Sequence, residues 1–422
     1  MQSKFLFLES KREWGVAFGF LIGIFVLSVA WRFYVFERYS SQDKQTLQAR
    51  VLHQYQKNNK WVLKLKTDWG LILYTTSKEH LKNLNNQRIL IFGKPAPCSF
   101  YQSLKSCFFI TFSMDLLPKD WRNIFYELIG SQHQEDLIAR FYQTLFLASY
   151  LPMELRELAN KLKIAHLLAI SGLHLGILAF VFYGVLGLIY RFFQARYFTY
   201  RNRIFDVGLM VNLLLLAYLF LLDFPPSFVR AYVMSVLGFV FVYCHFALLN
   251  FAFLFFCVAL ILALFPDFIF SLAFWFSVFG VLYIFLFFKY FRFEWIDHKW
   301  LKALVIAILL NAVLFFNMLP LTHLFFPSFS LLSFLAIPLS VIFAPFFVLV
   351  LGLHLVGLGG SLDSALLWAL TFDIKEMRIY SPLWFGLLYI FSSLLAIKSR
   401  GFYFLVLGMS VVFCGFLVVK AF

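Results

Sequence analysis

Long apolar runs separated by short charged breaks make up most of the chain, with one hydrophilic interruption near its start. The first apolar run, from Trp14 to Trp31, follows Lys4, Lys11 and Arg12. This predicts a membrane helix with a cytoplasmic N-terminus. Ser28-Val29-Ala30 resembles a small-x-small cleavage site. The Trp at either end suits interfacial anchoring, so residues 1–39 read as an uncleaved anchor. Further apolar segments are expected near 166–190, 204–222, 228–248, 250–265, 268–288, 300–319, 333–351, 355–372, 382–397 and 401–419. The pattern defines a polytopic α-helical membrane protein of about ten to eleven membrane helices. Pro320, Pro327, Pro338 and Pro345 interrupt the later segments, and broken helices are tolerated at membrane depth only against protein or a wet cavity.

Residues 40–116 change character, with turn signals at Lys57-Asn58-Asn59-Lys60 and Asp68-Trp69-Gly70. Strands are predicted at Gln48–Gln56, Trp61–Thr67, Leu71–Thr75, Arg88–Phe92 and Phe108–Ser113, with a short helix over Ser77–Asn85. Five short strands with a helix between the third and fourth fit an OB-like small β-barrel. Residues 117–165 mix charged and apolar patches and predict amphipathic juxtamembrane helices on the outer membrane surface, leading into a helical domain over 166–422.

Charge orients this arrangement. Arg191, Arg196, Arg201 and Arg203, then Lys289, Arg292 and Lys299, then Lys398 and Arg400 mark three cytoplasmic loops. Counting crossings from an inside N-terminus places 40–165 outside. The hydrophilic stretch carries eleven basic against four acidic side chains, or +7, about half of the chain's +15. Lys57, Lys60, Lys64, Lys66 and Arg88 are interleaved with Trp61 and Trp69, and with Tyr55 and Tyr74. Cations can track a phosphate backbone while aromatic faces stack on unpaired bases; the same pattern also fits a solvated lysine surface over a small aromatic core.

Composition agrees with the hydropathy pattern: 62% hydrophobic residues, 14% charged, mean hydropathy +0.83. The 59 Phe fit AT-rich codon usage or general lipid-facing bulk and define no ligand box. Of five cysteines, Cys244, Cys257 and Cys414 lie in apolar segments and read as buried thiols, whereas Cys98 and Cys107 could pair if their region is extracytoplasmic. No Cys-x-x-Cys, no His-Glu-x-x-His and no Gly-x-x-x-x-Gly-Lys-Ser/Thr loop is present, so no metal or other cofactor is assigned.

The stretch from His166 to Gly176 places two histidines, a serine and two glycines where a membrane helix is expected to begin. Polar groups at that depth must pair or face water. On one continuous helix Ser171 and His174 would share a face, Gly172 and Gly176 would admit a close neighbour, and His166 and His174 would flank one cavity. Ser171 with His174 also suggests nucleophile and base, without a visible third group. Ser227, behind Pro225-Pro226, is expected to cap a helix whose first turn carries Arg230. Asp223 and Asp267 fall at helix ends, while Asn311, Asn317 and His354 lie deeper and are further candidates for a cavity wall.

His166-Leu-Leu-Ala-Ile-Ser-Gly-Leu-His174 closely resembles the hallmark stretch of the ComEC family of competence proteins, inner-membrane channels for DNA uptake during natural transformation. Pro226-Ser227-Phe228-Val229-Arg230-Ala231 looks like that family's Pro-Ser-x-x-Arg-Ala segment. Pro266 to Gly280 and Leu331 to Pro345 are similar to two later segments of the family. The resemblance covers roughly residues 40–350 and implies a periplasmic OB-like domain ahead of a channel that passes one DNA strand inward. Many members add a metallo-β-lactamase-like domain; this sequence has no His-x-His-x-Asp-His motif and resembles a short form. Single-stranded DNA, membrane lipids and separate uptake and motor proteins are then the expected partners. The expected channel residues are His166, Ser171, Gly172, His174, Ser227 and Arg230. Two rivals remain: an intramembrane enzyme using Ser171 with His174 or a histidine-bound metal, and a transporter of another anion such as a lipid or glycan precursor.

Overall fold

The computed structural model describes residues 10–77, 83–244, 250–294, 296–370 and 376–421. Ser10 caps α1 (Lys11–Ser40), its hydroxyl accepting from the Glu13 N–H at 3.1 Å. Thirty residues of helix rise about 45 Å, well beyond the ~30 Å of hydrocarbon in a bilayer. The C-terminal end of α1 feeds the β-domain directly, with Val35 and Tyr39 buried in the barrel's core.

Strands β1 (Gln45–Lys57), β2 (Lys60–Thr67), β3 (Ile72–Ser77), β4 (Arg88–Pro95) and β5 (Cys107–Leu116) close into a barrel in the order β1-β2-β3-β5-β4. The first strand pairs with both β2 and β4, and only β3 and β5 run parallel. Asn58 and Asn59 both adopt positive φ, as a two-residue hairpin between twisted strands requires. Inward positions such as Leu47, Ala49, Val51, Leu63, Leu65 and Ile91 fill the core. At the β4–β5 bulge a Cβ on Gly93 would lie 2.0 Å from the Ile110 carbonyl oxygen, so only glycine lets the strands approach there. All five expected strands form, each slightly longer than its sequence pattern suggested. The helix expected over Ser77–Asn85 falls largely outside the described residues; Ser77 itself ends β3.

Cys98 and Cys107 are joined by a disulfide with Cα atoms 5.9 Å apart, clamping the segment that holds α2 (Phe100–Ser103). Closing so short a loop removes about 3 kcal/mol of unfolded-chain freedom. Replacing both cysteines with serine is expected to lower barrel stability by about that amount, read as an earlier thermal loss of protease resistance in residues 45–116 of the full chain.

The helical part begins with α3 (Asn123–Gly130), α4 (Asp136–Leu147), α5 (Met153–Lys161) and α6 (Ala165–Leu168). It continues through α7 (Gly172–Tyr197), α8 (Arg203–Leu222), α9 (Pro226–Tyr243), α10 (Phe251–Leu264) and α11 (Leu272–Tyr290). Last come α12 (Lys299–His323), α13 (Ala336–Leu355), α14 (Asp363–Leu370), α15 (Leu383–Leu395) and α16 (Arg400–Ala421). Eight helices among the described residues are long and apolar enough to cross a membrane, and α10 and α15 are shorter apolar helices. The chain is a multi-pass membrane protein. The apolar segment expected over 355–372 is broken among the described residues: Gly357 takes a positive φ after α13, and α14 starts anew at Asp363.

One expectation for residues 117–165 changes. The fourth helix does not lie on a surface; Ile138, Phe141, Tyr142, Leu145 and Phe146 are buried in the main core with α7, α8, α9 and α13. The third helix is amphipathic: Ile124, Phe125 and Leu128, continued by Trp121 just before it, face outward on one stripe, while Asn123, Tyr126 and Gly130 on the other side line a cavity.

Asp223 fastens the barrel to the bundle. It ends α8 in the left-handed conformation and receives Arg50 from β1 at 2.6 Å, Lys66 from β2 at 2.9 Å and Arg122, just before α3, at 3.8 Å. On the anchor helix Arg32 binds Asp267 at 2.8 Å, and Ser28 donates to the Leu264 carbonyl at 2.8 Å. The two aspartates at helix ends are thus fasteners between elements.

Candidate functional site: a cavity running from the barrel into the bundle

A single cavity of about 2790 Å³ runs from the barrel between α3, α4 and α5 into the helix bundle. Small-molecule sites occupy about 300–1,000 Å³, so this volume suits a polymer or a water column better than one small ligand. Its barrel end is lined by His53, Tyr55, Lys57, Lys64 and Tyr74, and its middle by Arg140, Tyr150, Arg156 and Lys163. Burial holds the Lys163 amine down to about 8, partly offset by Glu376, and Lys163 donates to the Phe326 carbonyl at 3.1 Å.

The bundle end is built by helix starts. The expected helix from His166 is interrupted: α6 stops at Leu168, and α7 starts anew at Gly172. Ser171 caps it, its hydroxyl accepting from the Leu173 N–H at 3.3 Å while the Ser171 N–H donates to His174 Nδ1 at 3.2 Å. The Ser171 hydroxyl also lies 3.4 Å from that nitrogen, so the backbone N–H and the hydroxyl share the one lone pair that a general base would use. His174 has no exposed surface, packs edge-on against Phe343 and Phe347, and does not line the cavity. Its expected place in the wall is thus corrected: the apolar residues around Ser171 concealed a helix start, and His174 secures that start. Replacing Ser171 with alanine should cost about 1 kcal/mol of helix stability. Covalent labelling of Ser171 by a serine-reactive probe would restore the nucleophile reading; no labelling is expected.

His166, Ser171, Gly172, Ser227 and Arg230 do line the cavity. His166 lies 3.3 Å from the Ser340 hydroxyl and 3.1 Å from the Lys163 carbonyl. Ser227 does not cap its own helix, since Pro225 and Pro226 occupy the start of α9; it donates instead to the Ile170 carbonyl at 2.6 Å, tying the beginnings of α7 and α9 together. A Cβ at Gly172 would meet the Arg230 guanidinium at 3.0 Å, so glycine is what lets this group lie against the first turn of α7. No other group lies within 4 Å of such an atom at Gly176, so the paired-glycine expectation holds only for Gly172.

Arg230 is 4% exposed. Its Nε donates to Ser277 Oγ at 2.8 Å and its Nη1 contacts Met234 Sδ at 3.1 Å. Among the described residues it forms no ion pair. Burying a cation without a counter-charge costs several kcal/mol. Of the lining residues between 165 and 340, Arg230 alone carries a formal charge. The starts of α7, α9 and α11 all reach this wall, at Ser171–Gly172, Pro225–Ser227 and Leu272–Ala273, adding the partial positive charge of three helix N-termini. The surroundings favour an anion.

The other candidates separate. Of the seven expected DNA contacts, Lys57 and Lys64 reach the cavity; Lys60, Trp61, Lys66, Trp69 and Arg88 do not. Lys66 is held by Asp223, Arg88 by Asp68 at 3.0 Å, and Trp69 lies under the Arg38 guanidinium at 4.3 Å. Asn311 lines the cavity, whereas Asn317 is buried and accepts from Ser410 at 3.4 Å. His354 belongs to a separate strut: its Nε2 is 3.1 Å from His133 Nε2, and His133 Nδ1 is 2.9 Å from Asp363. Cys257 and Cys414 are buried, but Cys244 is exposed at the end of α9. Among the described residues no cluster of three or more His, Cys, Asp or Glu could hold a metal. Alternation in the sequence offered no sign of His53, Arg140, Tyr150 or Arg156, which chain folding brings to the same space.

A multi-pass membrane protein with a barrel feeding a cavity whose lining carries six basic side chains (Lys57, Lys64, Arg140, Arg156, Lys163, Arg230) against four acidic ones (Glu127, Asp136, Glu154, Glu157) is the class that these features define. The model of the competence protein family matches residues 147–421, more than half of the chain, and the chain belongs to that family. No curated protein and no solved structure matches it. Family membership gives the chain a role in competence.

Proposed function

We propose that the cavity conducts a single strand of DNA across the bacterial inner membrane during natural transformation, with the barrel outside and the N-terminus in the cytoplasm. The observation that carries this reading is Arg230: a buried guanidinium without a carboxylate, the one formal charge among the cavity-lining residues between 165 and 340, where three helix starts reach the wall. A phosphodiester passing the wall supplies the missing counter-charge. Naked phosphates cannot cross hydrocarbon, so the hydrated cavity is as necessary as the cation. The barrel serves as an OB-like entry domain, and a cytoplasmic motor or DNA-binding protein supplies the pull. Occupation of His174 Nδ1 by the Ser171 backbone weighs against the intramembrane-enzyme rival.

The test is an uptake assay with marked DNA on a deletion strain, scoring protected DNA outside and inside the cytoplasmic membrane separately. Loss of cytoplasmic entry with normal accumulation outside is the expected result. Unchanged cytoplasmic DNA would end the proposal, and transport of a lipid or glycan precursor would then be tested.

A further inference from the structure

Three rings at the barrel end of the cavity form a short column. His53 is stacked on Tyr150 with centroids 3.4 Å apart and planes 19° apart, and on Tyr55 at 5.1 Å and 21°. The column joins β1 to the turn before α5, elements nearly a hundred residues apart in sequence. These rings are not filling the barrel: its buried core is aliphatic apart from Tyr39 and Phe109, and all three rings line the cavity instead. Two cations flank them. Lys64 faces His53 across the β1–β2 pair and Tyr74 across the β2–β3 pair. Arg156 donates to the Tyr150 hydroxyl at 2.9 Å, fixing the tilt of that ring, which remains 37% exposed. Burial, with Arg156 and Lys64 nearby, pushes His53 down to about 4, so at neutral pH it is an uncharged aromatic face.

A stack of uncharged rings bordered by cations matches the two surfaces of an unpaired nucleotide, its flat base and its phosphate. Base-on-ring stacking tolerates any base identity, because every base has a π face. A base-paired duplex offers no free face except at its end. We propose that the Tyr55–His53–Tyr150 column is a base-stacking platform that receives unpaired nucleobases as the strand enters the cavity, with Lys64 and Arg156 on the adjoining phosphates. This rests on the reading of the cavity as a path for a DNA strand and adds how the strand is held and why it must be single.

The experiment uses the full chain in nanodiscs and compares a fluorescent oligothymidylate with an abasic strand of equal length and charge. Wild-type protein is expected to bind the strand with bases about fivefold or more tighter per stacked base. Tyr150→Leu should bring the two affinities together, with the salt dependence of binding unchanged; Tyr150→Phe, which keeps the ring, should preserve the difference. Equal affinity of wild-type protein for both strands would overturn the platform while leaving the polyanion path standing. An undiminished difference in Tyr150→Leu would also overturn it. Failure to bind either strand at low salt would instead remove the path, and the platform with it.

Discussion

Replacing Arg230 with leucine is expected to stop DNA entry into the cytoplasm while leaving the bundle as stable as before, or more so. The two halves of this result have one cause. The guanidinium is buried with a serine and a thioether for partners and with no carboxylate, so the folded protein bears its desolvation uncompensated. Removing it relieves a cost of several kcal/mol to the fold. A passing phosphate loses a charge-assisted contact of about 1.5–3 kcal/mol, and with the only formal charge on the inner wall gone, transformation should fall by about a hundredfold or more. Arg230→Lys keeps the charge and loses the planar fork, and should lie between. Transformant counts, protein level in the membrane fraction and thermal stability in detergent check this together. A variant that unfolds earlier than wild type would recast Arg230 as a structural cation.

The second large effect is expected at Asp223. Asn in its place keeps the left-handed backbone and removes only the charge, since both residues tolerate positive φ. Arg50, Lys66 and Arg122 would then face one another without the carboxylate they share. Losing the acceptor of a half-buried cluster costs less than the 3–5 kcal/mol of a fully buried pair, because solvent screens part of it; about 2 kcal/mol is a fair scale. The barrel should loosen on the bundle, opening the cavity to its side. Faster proteolysis around 117–122 and a tenfold or greater drop in cytoplasmic DNA are expected, with barrel folding intact. Uptake and proteolysis both at wild-type levels would show that the barrel needs no such fastening.

How much of this could be read from the sequence depended on how local each feature is. Turn signals between short runs made the barrel legible, and where β1, β2 and β4 alternate buried and open positions the faces are set by neighbours two residues apart. The start of α7 was not, since Leu167, Leu168 and Ile170 continue the apolar run across the break, and the residue returning to the cap is His174 rather than the usual Glu or Gln. The fourth helix carries charge at Asp136 and Arg140 and looked like a surface helix; its burial was decided by the helices that close over it. Arg230 could be picked out from its own segment. The convergence of three helix starts around it, and the meeting of His53 with Tyr150, belong to tertiary structure and leave no periodic trace.

If the cavity conducts a strand, the single cation on its bundle end, beyond the several at the barrel end, would also set the mechanics of passage. That inner stretch would grip one phosphate at a time, so the load it adds on whatever draws the strand would reset with every nucleotide and not grow with the length already threaded. A row of arginines would hold the polymer fast. A single residue gives recognition at each step with release at the next, and a gene-length strand then demands no more peak force than a short oligonucleotide.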